Sequence, residues 1–157
     1  MNLHSFSTAL LSVFFAASTF ALAPGERVDN FRLLDETGSS HELYYFSDTK
    51  AFVLMAHNSS CQSMQESVEA LASMQASYAG QGVEFMLINS DLRDDRSAIQ
   101  TSVADQNIAA PVLMDSTQII GESLGAMSAG DTVVINPSNW QVAYLGGAQN
   151  AGQAVAS

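Results

Sequence analysis

The sequence predicts an α/β domain with a central mixed sheet, flanking helices and an N-terminal β-hairpin, and three observations carry that prediction. First, two continuous apolar runs, AFVLMA at Ala51–Ala56 and VEFMLI at Val83–Ile88, read as strands buried on both faces. Second, Met64, Val68, Leu71, Met74 and Tyr78 recur between them at helical spacing and give one apolar stripe. A strand–helix–strand crossover of this kind makes the two strands parallel and right-handed. Third, the later sequence alternates helical and apolar stretches and ends in TVVIN and WQVAYL around Pro137-Ser138-Asn139, a hairpin. The 157 residues, 47% of them apolar, fit one domain with a real core.

Taken in order, Pro24-Gly25 is a turn, and Phe31–Leu34 is a short strand ended by the turn Asp35-Glu36-Thr37-Gly38. His41–Tyr45 is its partner strand. After AFVLMA comes a polar loop, His57-Asn58-Ser59-Ser60-Cys61, and a helix from about Gln62 to Tyr78, capped by Ser59 or Ser60 and stopped by Gly80 and Gly82. A shorter helix spans about Arg96–Asp105, with Ile99 and Val103 inward. Val112–Met114 is a strand, and Gln118–Leu124 is a helical turn closed by Gly125. Thr132–Asn136 pairs with Trp140–Leu145, which Gly146-Gly147 breaks, and Ala148–Ser157 is helix-prone but stops abruptly. The C-terminal helix is therefore expected to be short or cut off.

Residues 5–23, SFSTALLSVFFAASTFALA, read as a secretory signal: the apolar run is too short for a comfortable membrane span and ends on Ala21-Leu22-Ala23, an A-x-A cleavage pattern. This places a signal at 1–23 and the domain at 24–157, with cleavage after Ala21 or an uncleaved anchor as the alternatives. A secreted or periplasmic location follows, with no membrane attachment after cleavage. Sixteen acidic against 5 basic residues give a net charge of −11. All five basic residues, Arg27, Arg32, Lys50, Arg93 and Arg96, lie in the mature part. That balance excludes nucleic-acid binding, which needs a basic footprint, and suits solubility or a basic partner.

One cysteine, Cys61, rules out an internal disulfide. In an exported chain an odd cysteine points to a reactive thiol, an intermolecular bond or a ligand, against a buried, inert packing residue. Cys61 falls at the expected N-terminus of a helix, where unpaired N–H groups and the helix dipole favour a thiolate. His57 is a candidate ion-pair partner, and Asn58, Ser59 and Ser60 are candidate donors to a thiolate or a bound peroxide oxygen. The negative overall field opposes thiolate formation. His57, Cys61 and Met64 also form a low-ranking Cu(I) set, an imidazole, a thiolate and a thioether, with His41 recruitable. Met64 fits the apolar stripe better than a metal site. Asp91, Asp94 and Asp95 read as a solvated loop rather than a cation site. Trp140 and Tyr144 alternate in phase and read as packing residues on one strand face.

A reactive residue between a buried strand and a helix start, with a terminal hairpin, resembles the thioredoxin fold. More narrowly, four stretches resemble the redoxin and alkyl-hydroperoxide-reductase/thiol-specific-antioxidant group. They are PGERVDNFRLLDETGSSHEL, FVLMAHNSSCQSMQESVEALASMQASYAGQGVEFMLINSD, APVLMDSTQIIGESLGA and TVVINPSNWQVAYLGG, spanning about Pro24–Gln149. The resemblance implies a thiol oxidoreductase acting through Cys61 by peroxide reduction or thiol–disulfide exchange, with His57, Asn58 and Ser60 as the supporting loop. It implies no cofactor, and an external thiol reductant or redox protein as partner. The chain departs from the group's patterns. Met64 stands at the second position of Cys-x-x-Cys. Leu54 and Asn58 stand where Pro-x-x-x-Thr-x-x-Cys has Pro and Thr, and Gly130 replaces the usual cis-proline. These departures motivate an alternative, a non-catalytic module docking on a partner such as a c-type cytochrome. Oligomeric state is left open by the sequence.

Overall fold

The computed structural model describes residues 22–61, 64–126 and 128–156. The secretory signal expected at 1–23 therefore lies almost wholly outside the described residues. Among the described residues no helix is long and apolar enough to cross a membrane.

Among the described residues seven strands and four α-helices follow in order. They are β1 (Arg32–Leu34), β2 (Ser40–Glu42), β3 (Ala51–His57), α1 (Met64–Ser77), β4 (Val83–Asn89), α2 (Arg96–Asp105), β5 (Val112–Met114), α3 (Ile119–Leu124), β6 (Asp131–Asn136), β7 (Gln141–Gly147) and α4 (Ala148–Val155). A five-stranded sheet has the order β5-β4-β3-β6-β7, and β1-β2 form a separate hairpin. β3 runs parallel to β4 and β4 to β5, while β6 is antiparallel to both β3 and β7. The sheet is mixed, as expected.

All seven residues of β3 are buried, because its side chains alternate into two cores. Val53 and Met55 meet the α1 stripe, Met64, Val68, Leu71 and Met74, together with Ile99 of α2 and Ala148 and Ala151 of α4. Phe52, Leu54 and Ala56 face Leu43, Leu124 of α3, and Val133 and Ile135 of β6. Burial of this kind contributes about 1.5–3 kcal/mol per large side chain. The Tyr78 hydroxyl donates to the Gly152 carbonyl at 2.8 Å and ties α1 to α4.

Several expectations shift. The second hairpin strand is shorter than His41–Tyr45: it ends at Glu42, and Leu43–Phe46 form a 3-10 turn that drives Leu43 into the core. α1 is described from Met64 onward, with Ser59 and Ser60 in the loop ahead; the start of the helix, where either would cap it, lies outside the described residues. β7 runs through Gly146 and Gly147, which pair with Thr132 and Asp131 instead of ending the strand. Trp140 and Tyr144 do not share a face. The register slips between Val134 and Ile135, leaving Ala143 as an extra residue, so Tyr144 joins the α1 core. Trp140, in the turn at φ +59°, stacks on Tyr44 at 4.4 Å. A bulge resets the two-residue alternation that an in-phase reading assumes.

Candidate functional site

The parallel register sets His57, the last residue of β3, against Asn89, the last residue of β4. Both polar side chains are buried, at 4% and 3% exposure. They have to bond to each other and to nearby polar groups, since a buried polar group without a partner is costly. Asn89 Nδ2 donates to His57 Nδ1 at 3.0 Å and to Asp94 Oδ2 at 2.7 Å. With Nδ1 accepting, the neutral ring carries its proton on Nε2 and donates to Ser102 Oγ at 3.0 Å. Burial pushes the His57 pKa down from 6.5 to about 4, with nearby Asp94 pulling weakly the other way.

The loop that follows wraps around the thioether of Met64. The Asn58 backbone N–H donates to Met64 Sδ at 3.2 Å, and Met64 itself is fully buried. Asn58 Oδ1 accepts from the Ser60 N–H at 2.9 Å, and its carbonyl accepts from the Cys61 N–H at 3.3 Å. The Cys61 carbonyl in turn accepts from the Met64 N–H at 3.3 Å, leading the chain into α1. Cys61 is half-buried, leans on the α1 core, and lines a cleft of about 260 Å³ with Ser59, Ser60, Gln65 and Gln106. His57 and Asn58 instead line a separate cleft of about 340 Å³ with Ser90, Asp91, Arg93 and Gln118.

Of the residues expected at the site, Ser60 and Cys61 therefore share a cleft, while His57 and Asn58 open onto its neighbour. Both His57 nitrogens are engaged by Asn89 and Ser102, and the Met64 sulfur by Asn58. A Cu(I) ion at these residues would have to displace those bonds. His41 lies with Asp35, on the hairpin. Among the described residues no three His, Cys, Asp or Glu side chains gather as a metal-holding group.

Two carboxylates of the acidic run, Asp91 and Asp94, bond to the loop, while Asp95 is exposed. Asp94 Oδ2 accepts from the Ser59 N–H at 2.8 Å as well as from Asn89. Asp91 accepts from Asn58 Nδ2 at 2.6 Å and from Arg93 through Nε and Nη2. The Arg93 hydrogen bonds, aided by Asn58, hold the Asp91 carboxyl well below the usual carboxylate range. Asp95 caps α2 by accepting from the Ala98 N–H at 2.8 Å. Gly130 occupies the expected place before β6, at φ +89°, and donates its N–H to the Ala56 carbonyl. A Cβ there would come within 2.4 Å of Ser67 Oγ on α1.

Asn89, Asp94, Ser102 and Gln106 were not singled out from sequence as partners of this loop. A usable signal existed for one of them: two adjacent apolar strands each end on a polar residue, so parallel pairing brings His57 and Asn89 together.

The AhpC/TSA family model matches residues 24–144. The chain belongs to the AhpC/TSA family. A search of curated proteins returned no match. Among solved structures, a hypothetical protein from Sinorhizobium meliloti 1021 superposes with a TM-score of 0.71 at 25% identity, covering 81% of this chain and 72% of that one. Peroxidoxin BcpB from Mycobacterium tuberculosis has a TM-score of 0.70 at 17% identity, with coverage of 86% and 95%. A secreted Mycobacterium tuberculosis disulfide oxidoreductase homologous to Escherichia coli DsbE has a TM-score of 0.63 at 17% identity, with coverage of 80% and 94%. The fold is thioredoxin-like, as the resemblance implied, and structures titled a peroxidoxin and a disulfide oxidoreductase share it.

Proposed function

We propose that this AhpC/TSA protein is an exported thiol oxidoreductase working through Cys61. The observation that carries the reading is the position of the single cysteine: half-buried, in a cleft, on the loop between β3 and α1. The thiolate sulfur attacks one atom of a weak O–O or S–S bond. With a hydroperoxide, the S–O bond forms, the O–O bond breaks, and the departing alkoxide or hydroxide takes up a proton, leaving Cys61 as a sulfenic acid. With a disulfide, a mixed disulfide forms and one thiolate leaves. Met64 holds the place of a second cysteine and is buried, so resolution within the chain has no thiol to use. Two equivalents of an external thiol return the sulfenic acid to Cys61 and leave as a disulfide and water. Serine hydroxyls of the loop, among them Ser60, are the nearby donors for the leaving oxygen. Export rests on the leader at 1–23 and agrees with the secreted neighbour of the same fold.

The test is consumption of hydrogen peroxide and of a small disulfide by the purified protein with excess thiol, against Cys61→Ser. Both activities are expected to vanish in the variant. Full retention would end the thiol reading. A folded wild type with neither activity would leave the alternative, a docking module whose acidic surface binds a basic redox protein in a salt-sensitive way.

A further inference from the structure

We propose that His57 is a positioning residue for Cys61: it is the midpoint of a hydrogen-bonded chain that grips both walls of the cysteine's cleft. The inference rests on Cys61 being the reactive thiol. One wall is Ser59, whose backbone N–H is held by Asp94 Oδ2 at 2.8 Å. The same oxygen accepts from Asn89 Nδ2 at 2.7 Å, and that amide nitrogen donates to His57 Nδ1 at 3.0 Å. On its other side His57 Nε2 donates to Ser102 Oγ at 3.0 Å. Ser102 Oγ also accepts from Gln106 Nε2 at 2.8 Å, and Gln106 is the second wall. The chain thus runs from one side of the cleft, behind it through the buried imidazole, to the other side.

The walls do not secure themselves. Among the described residues Ser59 Oγ and Gln106 Oε1 are buried atoms with no hydrogen-bond partner. Such atoms destabilise the conformation that strands them, and a small movement toward a partner would relieve them. The chain through His57 opposes that movement. It requires a neutral ring, because a protonated Nδ1 would point a hydrogen at the Asn89 amide hydrogens. Burial keeps the ring neutral down to a pKa of about 4, and Asp94 is the charged group acting on it. His57 therefore acts through geometry, not as a charge partner of the thiolate. Misplaced cleft walls slow an oriented reaction far more than an unoriented one.

Two measurements test this. The imidazole nitrogens of His57 are followed by NMR across the acid range; the expected result is a proton on Nε2 at neutral pH and a midpoint well below 6.5, and a proton on Nδ1 at neutral pH would overturn the proposal. The rates of Cys61 with hydrogen peroxide and with iodoacetamide are then compared in wild type, Ser102→Ala, His57→Phe and His57→Gln, with thermal midpoints as a folding check. The peroxide rate is expected to fall about tenfold or more in Ser102→Ala and His57→Phe while alkylation changes less than about twofold. His57→Gln, which can still accept from Asn89 and donate to Ser102, is expected to recover most of the rate. Equal peroxide rates in all four, or parallel loss of both reactions, overturns the positioning role. A wild type that reacts with neither reagent removes the thiol reading and this role with it. A reactive wild type with indifferent variants removes only this role.

Discussion

His41 and His57 are the two described histidines, and their settings are opposite. His41 Nε2 donates to a carboxylate, Asp35 Oδ2, at 2.7 Å, and its side chain is 18% exposed. Asp35 also accepts from the Thr37 N–H and hydroxyl and from the Ser39 N–H. Burial alone would raise the Asp35 pKa, but the bonds from Thr37, His41 and Ser39 outweigh it and hold the pKa at about 2. His57 has an amide and a hydroxyl for partners and almost no contact with water. One histidine is bonded directly to a carboxylate, and the other is kept neutral by burial between an amide and a hydroxyl. The difference also lies in reach. His41 finds its partner 6 residues away, within a hairpin turn, whereas His57 finds Asn89 and Ser102 at separations of 32 and 45. A local histidine–carboxylate bond trims a turn, and a non-local chain through amide, imidazole and hydroxyl holds a sheet, a loop and a helix in register.

The contrast can be broken most forcefully at His57 itself. His57→Phe strands the Asn89 amide and removes a bond from Ser102, and is expected to cost about 2–4 kcal/mol in urea unfolding. A cost under about 1 kcal/mol would mean the buried network contributes little.

The second difference is in pH. The unfolded chain takes up a proton at His57 near pH 6.5 while the folded one waits until about 4, so unfolding binds a proton in that window. Stability present above pH 6.5 is therefore lost as the pH falls toward 4, by about 3 kcal/mol at most. Asp35 acts in a lower window: its folded pKa is depressed, so its contribution is lost as the pH falls from 3.8 through about 2. Denaturation midpoints from pH 7 to 4 should show the first slope in wild type and not in His57→Gln. An identical slope in both would assign it to other groups.

A smaller effect is expected at the hairpin. His41→Ala should cost about 1 kcal/mol and be seen chiefly as faster amide exchange at Thr37 and Ser39, whose N–H groups bond to Asp35. Smallest of all, Cys61→Ser should shift stability by about 0.5 kcal/mol or less. That would separate the cysteine's chemistry from its packing.

The same local–distant divide governs what the sequence made legible. β3, β4 and the α1 stripe were readable because burial on both faces, or on one stripe, writes a continuous or a 3.6-residue pattern into neighbouring residues. α2 and β5 fell where their periodicity put them. The position of Cys61 was readable for the same reason: it needs only a strand, a loop and a helix in succession. Trp140 and Tyr144 were misread because one extra residue, Ala143, resets the alternation, and nothing in WQVAYL marks the bulge. The loop carboxylates Asp91 and Asp94 looked solvated because their partners, Asn58 and Ser59, arrive from another strand end. His57 looked like a partner for Cys61 by nearness in sequence, while sheet register turned it to Asn89.

The most direct test of the account is to treat the folded protein with one equivalent of hydrogen peroxide and, separately, of a small disulfide, and to identify the product at Cys61 by mass spectrometry with a sulfenic-acid trap present. The account predicts a trapped sulfenic acid or a mixed disulfide at Cys61, reversed by added thiol. An unmodified Cys61 in the folded protein under both conditions would contradict it.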